Sequence, residues 1–145
     1  MTRCIATLAV ASVTIGLALG HVPGRAAAQS YPDDSGAGAE RGIEQLNNSG
    51  QVGTATLFAH GLDALVFVRM HGAERPESVR ILRGADCDTL APMPAFVLSD
   101  VHGGVSRSLL HVSLGRLLSG NYNVVVFAST AMHAGITACG HLFSR

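Results

Sequence analysis

The chain has 145 residues, ten basic and ten acidic side chains, and a formal net charge of zero. Every basic side chain is arginine and none sits in a block, so charge gives no reason to expect nucleic acid or an anionic membrane surface as partner.

The N-terminus reads Met1-Thr2-Arg3, then an uncharged apolar run from Cys4 to Gly20, then His21-Val22-Pro23 and finally Ala26-Ala27-Ala28. A basic start, an apolar stretch, a helix breaker and a small-residue site form the layout of a secretory signal peptide, here residues 1–28. An uncleaved anchor is the rival reading, because the run approaches the length of a spanning helix. Cys4 opens the run, whereas a lipid-attachment cysteine would close it. Cleavage after Ala28 leaves 145 − 28 = 117 residues, enough for one modest core, and no second apolar run that could span a bilayer. Residues 29–42, QSYPDDSGAGAERG, carry little to bury and are read as a flexible lead before a domain over 43–145.

From Ile43 onward short apolar segments alternate with turn signals. Strands are expected at 43–46, 52–58, 64–70, 78–82, 95–98, 105–112, 122–128 and 135–142, with one short helical possibility around 113–118. Asn47-Asn48-Ser49-Gly50, His60-Gly61-Leu62-Asp63, His102-Gly103-Gly104 and Ser119-Gly120-Asn121 supply the turns. Period-two strands with frequent turns predict an all-β antiparallel sandwich or barrel of about eight strands.

The strings LNNSGQVGTATL (46–57) and VSLGRLLSGNYNVVVFAS (112–129), with the Ala-Cys-Gly at 138–140, resemble small secreted proteins related to copper/zinc superoxide dismutase and chordin-type domains. The resemblance implies a Greek-key β-sandwich in which Cys139 forms half of a disulfide. Removing Cys4 with the leader leaves Cys87 and Cys139, an even pair in an oxidising compartment, and neither belongs to a Cys-x-x-Cys motif. A Cys87–Cys139 bridge is therefore expected, against the alternative of a reactive thiol.

The resemblance also implies what is missing. Metal-binding relatives carry a His-x-His pair on the strand before the cysteine loop and another histidine after the Ser-Gly-Asn turn. Arg80, Leu82 and Phe127 occupy those positions here, and none of them offers a donor for copper. Leu82 and Phe127 are expected on the outer face of their strands, either as an apolar interaction patch or beneath the loop that follows Gly84. The remaining histidines of the mature chain show no His-x-His or His-x-x-x-His spacing, although His71, His133 and His141 form a conceivable rearranged metal set.

Other catalytic templates are also absent. Ser106, Ser108 and His111 share a strand region without a Gly-x-Ser-x-Gly elbow, and no glycine loop for phosphate precedes a helix. Asp86, Asp88 and Asp100 flank turns, where aspartate serves backbone hydrogen bonding. No catalytic residue and no cofactor is expected. Two readings result: a secreted or periplasmic, non-catalytic sandwich that binds an unidentified protein or envelope partner, or a copper- or zinc-binding dismutase-like protein using rearranged histidines.

Overall fold

The computed structural model describes residues 38–131 and 134–143. The expected leader and the candidate ligand His133 lie outside the described residues. Eight strands follow in chain order: β1 Gly38–Gln45, β2 Val52–His60, β3 Asp63–His71, β4 Val79–Arg83, β5 Pro94–Val97, β6 Val105–Leu110, β7 Tyr122–Phe127 and β8 Ile136–His141. One short helix, α1, spans Leu114–Ser119. Among the described residues no helix is long and apolar enough to cross a membrane.

All neighbouring strands are antiparallel, in the order β5-β4-β7-β8-β1-β2-β3-β6. β1 belongs to both halves of this nearly closed sheet. Its first residues, Gly38 to Ile43, pair with β2, and its last two, Glu44 and Gln45, pair with β8. β3 lies beside β6 while the intervening β4 and β5 pair in the other half, which is a Greek-key crossing. The seam between β5 and β6 is stitched by serine hydroxyls just past β5. Ser99 donates its backbone N–H to Ser108 Oγ at 2.8 Å, and Ser106 Oγ donates to the Ser99 carbonyl at 2.6 Å.

The alternation along each strand decides what is buried. β3 turns Ala64, Val66, Val68 and Met70 inward, where they meet Leu57 of β2, Ile81 of β4 and Val124 and Val126 of β7. A fully buried Val or Leu contributes about 1.5–3 kcal/mol, so this shared interior is the main source of stability. α1 starts at Ser113, whose hydroxyl accepts from the Arg116 N–H, and adds Leu114 and Leu117 to the same core. Between β1 and β2, Asn47 and Asn48 take the left-handed conformation at φ 55° and Gly50 follows at φ 72°, which accounts for this residue choice.

One expectation is corrected. The sequence predicts a flexible lead over residues 29–42, yet Gly38 to Gly42 already form β1, in register with Phe58 to Thr54. Backbone hydrogen bonds hold this stretch and need no apolar side chain. Gly38 admits a close neighbour: a Cβ there would sit 3.0 Å from the Phe58 ring.

Candidate functional site

The positions singled out by the resemblance lie on β4 and β7. Alternation sends Val79, Ile81, Val124 and Val126 into the main core, so their neighbours Leu82 and Val125 turn to the other side of the sheet. There Leu82, Val125 and Cys139 are buried in a second, smaller cluster, flanked by half-buried Leu46, Leu90, Phe127 and Ile136. Leu82 therefore belongs to no exposed patch. Phe127 is half-buried and carries the Arg80 guanidinium 4.8 Å above its ring, a cation–π contact that occupies its open side.

The cover over this cluster is the loop 84–93. It is fastened by the Cys87–Cys139 disulfide, with Cα atoms 6.1 Å apart, and by two backbone ties. Gly84 N–H donates to the Asn121 carbonyl at 3.0 Å, and Ala91 N–H donates to the Arg83 carbonyl at 2.7 Å. Within the loop, Asp86 Oδ1 accepts from Thr89 Oγ1 and from the N–H groups of Thr89 and Asp88. The hydrogen bond from the Thr89 hydroxyl is the chief cause that holds the Asp86 pKa below its ordinary value. Gly84 sits so close to the loop that a Cβ there would fall 2.6 Å from the Thr89 carbonyl oxygen.

Asn123 is the polar key of this face, and sequence reasoning missed it. It is 0 % exposed on β7. Its Nδ2 donates to the Gly84 carbonyl at 2.9 Å, and its Oδ1 lies 2.6 Å from His141 Nδ1. Because the amide nitrogen serves the carbonyl, the amide oxygen must accept, so His141 carries its proton on Nδ1 and keeps a lone pair on Nε2 when neutral. The available signal was a single amide inside the otherwise apolar YNVVVF. Beside this network runs an open groove of about 460 Å³, lined by Glu44, Asp86, Asp88 and His141 among others.

The two described members of the conceivable histidine set lie on different halves of the sheet. His71 ends β3 opposite Val52, whereas His141 lies on β8 in the other half of the sheet, and His133 is outside the described residues. Among the described residues no group of three or more His, Cys, Asp or Glu side chains is placed to hold a metal ion. Ser106 and Ser108 are committed to Ser99, and His111 Nδ1 lies 3.2 Å from Asp63 Oδ2 across an exposed turn. No acid–base–nucleophile chain links these groups.

A buried polar pair lies elsewhere. Gln51 Nε2 donates to Glu77 Oε1, with both residues over nine-tenths buried, while Gln51 Oε1 and Glu77 Oε2 find no partner. Glu77 also exchanges backbone hydrogen bonds with Val101, so the pair ties the start of β2 to the crossover leading into β4.

Compared with family models, with curated proteins and with solved structures, the chain finds no match.

Proposed function

We propose that the protein is an exported, disulfide-locked, non-catalytic β-sandwich that acts as a binding or envelope-associated module, on a superoxide dismutase-like scaffold whose metal face has become a hydrophobic plug. One observation carries this reading. The outer side of β4 and β7 is packed with Leu82, Val125 and Phe127 under the disulfide loop, and the nearby imidazole of His141 is engaged by Asn123. A catalytic copper or zinc site needs several converging imidazoles and an open coordination position, and this face supplies neither. The bridge from the loop after β4 to the strand that ends Ala-Cys-Gly supports the likeness, since that likeness implies such a bond. Export is supported by the leader-like N-terminus and by a disulfide, which persists in oxidising compartments.

Metal analysis tests the functional part. Protein purified from the exported fraction and dialysed against a chelator is expected to retain far less than one equivalent of copper or zinc and to show no dismutase activity. About one equivalent retained, with activity that disappears when the metal is stripped, refutes the reading. N-terminal sequencing tests the compartment: the exported form is expected to begin at Gln29, and an intact Met1 in the membrane fraction makes the protein an anchored one.

A further inference from the structure

The other broad face of the fold, the outer side of β1, β2, β3 and β6, has an unusual distribution of side chains. β6 turns Ser106 and Ser108 inward and Val105, Arg107 and Leu109 outward, so that Val105 is 50 % and Leu109 47 % exposed. The register of the four strands sets the outward residues in cross-strand rows. The first row runs Gly38, Phe58, Leu65, Leu109, and the second runs Glu40, Thr56, Phe67, Arg107. The third begins at Gly42 and ends at Val105. Every row is therefore small or acidic at its β1 end and bulky or basic at its β6 end.

We propose that this face docks a second copy of the chain about a two-fold axis that runs along the strands between β2 and β3. Such an axis lays the β1 end of each row over the β6 end of the same row in the other copy. Glu40 then meets Arg107, Gly42, whose outer side is open, receives Val105, and Phe58, whose ring covers Gly38, lies against Leu65 and Leu109. This is the self-complementarity that a two-fold interface requires. The alternative in-plane axis, across the strands, sets Glu40 on Glu40 and Arg107 on Arg107, and like-charge repulsion rejects it. Glu40 and Arg107 cannot satisfy each other within one chain, because three strand spacings, roughly 14 Å, separate them. Strands of eight, nine, nine and six residues offer about 500 Å² per copy, so both copies bury roughly 1,000 Å², below the standard size of specific interfaces. The dimer is consequently weak and concentration-dependent. The proposal is independent of the metal-face reading, which concerns the opposite half of the sheet.

Sedimentation equilibrium on the full chain as recovered from export, over the widest attainable concentration range, tests it. The wild type is expected to move from monomer to dimer. Glu40→Arg and Arg107→Glu should each weaken dimerisation by about tenfold, a change of about 1.4 kcal/mol. An equimolar mixture of the two single variants should recover it, because each pairing across the mixed interface again joins opposite charges; recovery also shows that both variants are folded. A monomer at every concentration overturns the proposal, including the case in which the chain's own N-terminal residues cover the face. A dimer indifferent to both reversals, or a mixture that fails to recover, overturns it as well.

Discussion

Removing the disulfide is the most informative single perturbation of this fold. Cys87 and Cys139 are 52 residues apart, and closing a loop of that length in the unfolded chain stabilises the folded state by about 4 kcal/mol through loop entropy. Cys87→Ala with Cys139→Ala keeps each Cβ in place and removes mainly this constraint. A domain of this size has about 5–15 kcal/mol in total, so the double variant should remain folded with most of its margin gone. With a urea dependence of about 1.5 kcal/mol per molar, the midpoint followed by far-UV circular dichroism should fall by about 2–3 M. The loss has a local signature too. The Gly84 and Ala91 amides, bonded to Asn121 and Arg83, should exchange with solvent earlier in the variant, because the loop that holds them is no longer tied to β8. A midpoint shift below about 0.5 M, well under that loop-entropy term, together with unchanged exchange at Gly84 and Ala91, would show that the loop holds itself and that the bridge adds little.

Three further outcomes follow from single sites. Glu77→Gln should raise stability by about 1–3 kcal/mol in urea titration, because an amide at 77 can donate to the unpartnered Gln51 Oε1 while still accepting from Gln51 Nε2; an unchanged or lower midpoint contradicts this. Gly140→Ala should destabilise by about 1–3 kcal/mol, since its Cβ would stand 2.2 Å from the Gly42 carbonyl oxygen where β8 crosses β1, and a variant as stable as the wild type refutes the close approach. Asp86 has a folded pKa below its ordinary 3.8, so its contribution is present above that pH and is lost as pH falls through the folded value. Asp86→Asn should therefore lower the thermal midpoint at neutral pH, with the gap closing as pH drops below 3.8, and a gap that widens in acid would reverse the assigned sign.

The strands were legible in the sequence because their signals are local. Alternation in DALVFVRMH and turn formers such as Asn47-Asn48-Ser49-Gly50 specify extended segments and their ends without reference to partners, and all eight expected strands occur, all but β1 within about two residues of their predicted limits. The disulfide was legible for a similar reason, since only two cysteines follow the leader-like segment. Neither signal says which face of a strand meets which neighbour. In YNVVVF almost every side chain is apolar, so the sequence cannot tell that Val124 and Val126 enter the main core while Val125 packs beneath the loop; the β4 and β8 partners make that choice. The first half of β1 was invisible because backbone pairing with β2, and not burial of its own side chains, makes it a strand. Asn123, His141 and Gly84 meet across 39 and 18 residues of sequence, and Glu40 and Arg107 share a row only through the register of β2 and β3 between them. Periodicity sets the spacing of side chains along one strand, but the phase of that pattern, and every contact between strands, exists only once the sheet has closed.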